Sequence, residues 1–148
     1  MKKLLIRLFL FLFRESINFK KNGYHPLVWI NGNPIIGDNV KIAGFSEVYA
    51  KGSKVIIGEN CDIGSFTAIN CADSHLRTIN IKKDISHKPI HIGKNVFIGS
   101  HVMIKGGTSI GDYCVIGAGT ILGNIKIPPY SLVVGNPAII KEGYYKRK

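Results

Sequence analysis

Histidine and cysteine carry much of the chemistry open to this chain, which holds five of the first and three of the second. His75 ends the triplet Asp73-Ser74-His75 within the stretch NCADSHLRTINIKKDISHKPIHIG. An imidazole, with a reference pKa of about 6.5, can take a proton, bind a metal or simply occupy a loop. His87 and His91 lie four positions apart, His101 follows Ser100, and His25 falls in a turn-rich stretch. Zinc held by His87 and His91 would need a third imidazole from another chain, so no metal is expected. Cys71 lies close to His75, but nothing around the pair builds a Cys-His-acid series, and it reads as a small strand residue. Three cysteines leave one unpaired in any case, and this usage points to a reducing, cytoplasmic compartment.

The elements that must position these groups announce themselves as a repeat. Isoleucine returns every six residues at Ile92, Ile98, Ile104, Ile110 and Ile116, followed by glycine at Gly93, Gly99, Gly111 and Gly117. The fourth residue after each isoleucine is small or β-branched: Val96, Val102, Thr108, Cys114 and Thr120. A period of six divides by two but not by 3.6, so it suits short strands joined by corners, with the isoleucine and the small residue facing inward. Three such strands make one triangular turn of about eighteen residues, and stacked turns make a parallel β-solenoid. Upstream the rule holds at Ile36, Ile42 and Val48 and again at Ile57, Ile63 and Ile69, with Val40, Ser46, Gly52, Cys61 and Thr67 in the small inward place. Downstream the phase is expected to run through Leu122, Pro128 and Val134, and the pair Pro128-Pro129, unable to donate to a ladder, to end regular coiling. Four to five turns are predicted, interrupted only over residues 75–89. An interruption raises side chains off a uniform surface, which makes it the place to look for chemistry.

The ends differ in character. Residues 4–13 are apolar except for Arg7 and are flanked by Lys2, Lys3 and Arg14. The run is too short for a bilayer span, which needs about 20 residues. Arg7 and the lack of a small-x-small cleavage site speak against a signal peptide. Two readings stay open: a peripheral membrane contact through residues 2–14, on the inner face of the membrane, or a helix packed on a neighbouring subunit. The net charge of +11 gathers before the first coil and after the last. With no aromatic stacking ladder and no recognition-helix motif in view, a nucleic-acid partner is not expected; a membrane and a phosphate-bearing ligand account for the charge better. Gly23, Pro26, Gly32 and Pro34 mark residues 15–35 as a turn-rich cap that includes Trp29. The division is thus 1–35 as apolar, basic segment and cap, 36–136 as the solenoid, and 137–148 as a basic tail.

Asp-Ser-His at 73–75, PIHIGKNVFIGSHVMI at 89–104, IGAG at 116–119 and IPPYSLVVGNPA at 127–138 together resemble the hexapeptide-repeat acyltransferases, in particular acetyltransferases of the galactoside and xenobiotic group that modify sugars and polysaccharides. The resemblance spans roughly residues 57–141. It implies an all-β, left-handed parallel β-helix, a homotrimer with active sites in the grooves between subunits, and acetyl-CoA as acyl donor. By position in the motif it implies His75 as the general base that takes the acceptor's hydroxyl proton, a role worth about 10²–10⁴ in rate. It also places Ser100 and Ala118 where backbone groups meet the pantetheine arm, Phe97 on the groove where relatives commonly carry tryptophan, and Asn124 near the adenine end. The basic residue expected directly after Gly-Asn-Pro-Ala is replaced by Ile139, leaving Lys141, or Lys126, for the phosphates. TILGNIKI, between Gly119 and Pro128, is one residue longer than is usual in relatives.

The expected function is therefore acetyl-CoA-dependent O-acetylation of a saccharide, a surface polysaccharide or its precursor, by direct transfer. A serine acetyltransferase would carry a sizeable helical domain ahead of the coils, and only about thirty-five residues stand there. N-acetylation of an amino sugar and a purely structural scaffold stay open beside it. The β-helical carbonic anhydrases, a further rival for the fold, use histidines five apart, a spacing absent here.

Overall fold

The computed structural model describes residues 1–16, 24 and 27–146, without the side chains of 14–16. The helix α1 (Lys2–Ser16) stands first. A three-sided solenoid of five coils then follows. The first coil is β1 (Trp29–Gly32), β2 (Ile35–Ile36) and β3 (Lys41–Ile42); the second is β4 (Glu47–Ala50), β5 (Val55–Ile57) and β6 (Asp62–Ile63). The third opens with β7 (Ala68–Asn70), departs through β8 (Ala72–Asp73), α2 (His75–Thr78) and β9 (Ser86–His87), and resumes with β10 (Ile90–Ile92) and β11 (Phe97–Ile98). The fourth is β12 (Met103–Lys105), β13 (Ser109–Ile110) and β14 (Val115–Ile116); the fifth is β15 (Ile121–Leu122), β16 (Lys126–Ile127) and β17 (Leu132–Val134). Each face is a parallel sheet of five strands, one per coil, and β18 (Ile139–Lys141) closes the third face by pairing antiparallel to β17.

Register explains why one residue in six is aliphatic. Ile42, Ile63, Ile98, Ile116 and Val133 sit directly above one another on the third face, and Ile36, Ile57, Ile92, Ile110 and Ile127 do so on the second. From Ile57 to Ile127 these side chains are at most 2% exposed, and burial of each contributes about 1.5–3 kcal/mol. The small inward place does a second task. Ser46, Thr67, Cys61 and Cys114 hand a hydrogen bond to carbonyls of the next coil, Gly64, Gly99, Gly93 and Pro128 respectively. These bonds remove the penalty of burying a polar group in so narrow a core.

Five expectations are corrected by the register. Gly52 is exposed at φ +88°, because residues 51–53 form an extra turn and Val55 takes the inward place. Beyond Leu122 the phase slips by one: Ser109 pairs with Lys126, seventeen residues on rather than eighteen, so Ile127 and Val133 point inward in place of Pro128 and Val134. Pro128-Pro129 do not end the coil. The Gly111 N–H donates up to the Ile127 carbonyl, so the equivalent N–H of residue 128 would face the open end, where no coil waits to accept it, and proline there forfeits nothing. Trp29, assigned to the cap, instead begins the first coil, paired with Glu47; residues 139–141 of the basic tail are likewise a strand.

The corners hold the last correction. Phe45, Phe66 and His101, at φ near +60°, stack with ring centroids 5.1 and 4.9 Å apart, and Tyr113 and Tyr130 stack at 5.0 Å on another corner. An aromatic ladder therefore exists at two corners, its neighbouring ring faces stacked on one another while Phe45 and Phe66 stay more than half exposed. Such rings offset the left-handed conformation that a bulky residue otherwise resists.

Candidate active site

Where β7 ends, the chain leaves the corner between the first and second faces, and the departing segment is clipped at its base. Ala72 pairs with His87 and Asp73 with Ser86 across β8 and β9, and the Lys88 N–H donates to the Cys71 carbonyl at 2.9 Å. On this clamp the Asp73 carboxylate organises His75 directly. Its Oδ1 accepts the His75 backbone N–H at 3.2 Å and lies 2.5 Å from the ring Nδ1, a local turn that an aspartate two residues upstream is suited to make. Its Oδ2 lies 3.0 Å from Lys105 Nζ, reached across from β12. The His75 ring, then the Lys105 ammonium, hold the Asp73 carboxyl far below the usual carboxylate range. An ionised Asp73 fixes the orientation of the ring and makes Nδ1 the protonated nitrogen, which leaves Nε2 as the free base.

His75, 63% exposed at its side chain, lines an open cleft of about 380 Å³ with Asp73, Lys82, Lys88, Lys105 and Asn124 among its walls. Asn124, at φ +52°, accepts from Lys88 Nζ at 3.4 Å. Gly107 beneath it, at φ +89°, has no room for a Cβ against the Asn124 side chain. Such a cleft can accept a hydroxylated ligand and take its proton.

The other expected residues lie elsewhere on the chain. Ser100 and Ala118 occupy the corner between the third and first faces, one coil apart, since Phe97 pairs with Val115 and the Gly119 N–H donates to the Ser100 carbonyl at 3.0 Å. Among the described residues neither the Ser100 nor the Ala118 N–H has an acceptor. A Cβ at Gly119 would meet nothing within 4 Å, so open space lies over this corner. Two free N–H groups about 4.8 Å apart along a small-residue edge fit an extended amide chain such as a pantetheine arm. Phe97 is half-exposed on the third face, where it lines a separate cleft of about 640 Å³ with Tyr113, Tyr130 and Tyr145. Lys141 lies on β18 with Nζ 5.8 Å from the centre of the Tyr144 ring. Of the expected set, then, only His75 and Asn124 share a cleft within one chain.

Cys61, Cys71 and Cys114 are buried, and burial pushes all three thiols up, away from the thiolate a nucleophile requires. Asp73 was visible in the motif without an assigned task; its place two residues before His75 was the available signal. Lys105 was missed outright, although counting coils would have set it opposite Asn70 on β7, beside the corner from which the His75 segment departs.

Residues 89–124 match the family described as bacterial transferase hexapeptide (six repeats). Over 74 residues, half of this chain, the sequence is 44% identical to the Staphylococcus aureus (strain COL) protein named "Putative acetyltransferase SACOL2570", of whose length the match covers 35%. Among solved structures, the hexapeptide-repeat acetyltransferase VCA0836 of Vibrio cholerae O1 biovar eltor, complexed with acetyl-coenzyme A, superposes with a TM-score of 0.70 at 29% identity, over 82% of this chain and 67% of that one. A galactoside acetyltransferase in complex with coenzyme A superposes with a TM-score of 0.69 at 32% identity, over 80% of this chain and 60% of that one. The chain thus spans about a third of the curated relative's length and 67% and 60% of the two solved structures. With its six-residue repeat, its parallel five-coil register and an Asp-His pair at the long break in the described coils, the chain is similar in sequence and fold to these hexapeptide-repeat acetyltransferases.

Proposed function

We propose that this chain is an O-acetyltransferase that moves the acetyl group of acetyl-CoA to a saccharide hydroxyl, in the cytoplasm, with His75 as base. The observation that carries the reading is the Asp73–His75 pair in an open cleft, with Lys105 on the second carboxylate oxygen. His75 Nε2 takes the hydroxyl proton as oxygen bonds to the thioester carbon; the carbon–sulfur bond then breaks, and the imidazolium returns the proton to the departing thiolate. No acyl-enzyme is needed. The donor's arm is placed along the corner of Ser100 and Ala118, where one of the free N–H groups can also meet the developing oxyanion. That corner and the His75 cleft lie on different edges of one prism, so the reading requires a neighbouring chain to bring them together. A closed ring of three identical chains does so with one kind of contact. Acceptors are sought by following thiol release from acetyl-CoA over a panel of free, nucleotide-linked and lipid-linked sugars. Turnover with a hydroxylated sugar supports the proposal; hydrolysis alone, unaffected by any sugar, contradicts it.

The partner of α1 is proposed to be an anionic membrane surface. Eight apolar side chains between Leu4 and Phe13 are 37–71% exposed, and no described helix is long and apolar enough to cross a membrane. At about 100° per residue, Lys3 and Arg7 fall on one strip, shared with Leu10, and apolar side chains cover most of the remaining arc, with Lys2 among them. A bundle of such helices from several copies would need a narrower apolar seam and would crowd these cations; a lipid interface accommodates both the broad arc and the charge. The full chain is expected to pellet with vesicles containing anionic lipid, less so as salt rises, and the Leu5→Glu/Phe9→Glu variant is expected to stay in solution. If that variant loses trimer mass and the parent never pellets, α1 is an interface between copies instead.

A further inference from the structure

The charge around His75 says something about the acceptor, provided His75 is the base. Three lysines, Lys82, Lys88 and Lys105, line its cleft against a single carboxylate, Asp73. That carboxylate is already engaged by His75 and by Lys105. Lys88 reaches only the neutral Asn124 oxygen, at 3.4 Å, and among the described residues neither Lys82 nor Lys88 forms an ion pair. Like charges gathered in one cleft repel each other unless a ligand brings the opposite sign.

We infer that the acceptor carries an anionic group, a carboxylate or phosphate, seated by Lys82 and Lys88 while its hydroxyl meets His75. Both lysines belong to the same clipped segment as His75, so the anion they hold lies close to the base. The phosphates of the acyl donor are an unsuitable occupant, because the whole length of the pantetheine arm separates them from the thioester that must reach His75. Ser86, which also lines the cleft, adds a hydroxyl donor on the same side. A charge-assisted contact of this kind changes binding by about tenfold or more, and it weakens with salt because the cleft is open.

The test compares galactose, galacturonic acid and galactose 1-phosphate as acceptors, at low and high salt, for the parent and for Lys82→Glu. The parent is expected to prefer at least one of the two acids over galactose, with the preference shrinking in salt; which acid wins distinguishes carboxylate from phosphate. Lys82→Glu is expected to cut that acid-to-neutral ratio of kcat/KM about tenfold. An unchanged ratio, or a rise confined to the KM for acetyl-CoA, overturns the inference and assigns the lysines to the donor. Calorimetric binding of the two acids to His75→Ala separates this proposal from the catalytic one. Salt-sensitive binding that disappears in His75→Ala/Lys82→Glu supports the anion site whatever the turnover; absence of binding to either acid overturns it even where neutral sugars are acetylated.

Discussion

Replacement of His75 by alanine is expected to lower kcat for acetyl transfer at least a hundredfold while leaving acetyl-CoA binding and assembly mass unchanged. The size follows from the range of about 10²–10⁴ that positioned general bases contribute. The selectivity follows from position: His75 is 63% exposed and sits on a four-residue helix with no buried residue, so the fold loses little packing. Asp73→Asn is expected to cost less, about tenfold, because an amide can still accept from Nδ1 but no longer stabilises the imidazolium. The depressed Asp73 carboxyl stays ionised from about pH 4 upward, the ordinary carboxylate range, and its help to the fold is lost only as pH falls through the lowered value. That help is present at neutral pH and is removed in the Asn variant, so its thermal midpoint is measured beside turnover, and an activity loss in the folded variant reports on His75. Thiol release measured at saturating acetyl-CoA reads both effects; turnover retained in folded His75→Ala removes the histidine from the mechanism.

A comparable loss is expected at a residue with no chemistry of its own. Ala118 is exposed at its corner, with open space beside it at Gly119. Tryptophan there would stand where the donor's arm is placed, and displacing a bound reactant by even an ångström costs about a hundredfold. Here the damage should appear first as a higher KM for acetyl-CoA, in contrast to His75→Ala. Equal KM and kcat in Ala118→Trp would show that the arm does not follow this edge.

How far these residues were legible in the sequence depends on whether they obey the period. Ile92, Ile98, Ile104 and their stacked partners were legible because a backbone repeat of six forces their direction, and Asp73-Ser74-His75 because it stands where that repeat stops. Insertions and deletions of one to three residues were not. The turn at residues 51–53 and the one-residue shortening before Ile127 keep the local composition unchanged and reveal themselves only as altered strand register. Lys105 was hidden for a different reason: its contact with Asp73 joins separate coils across the folded-back segment, so their separation in sequence includes the length of that segment. The separation of His75 from Ser100 and Ala118 was hidden as well, since a linear motif does not say which edge of a triangular prism each part occupies.

Because base and donor corner lie on different edges of one chain, two inactive chains should restore each other when mixed. His75→Ala and Ala118→Trp, unfolded together in equal amounts and refolded, should assemble at random. In a cyclic trimer every mixed ring contains one junction where an intact His75 meets an intact Ala118 corner of its neighbour, so about a quarter of all sites should recover. Turnover near a quarter of the parent's is expected from the mixture, and almost none from either variant refolded alone. A mixture as inactive as its parts, with mixed assemblies confirmed by mass, would show that each chain carries a complete site.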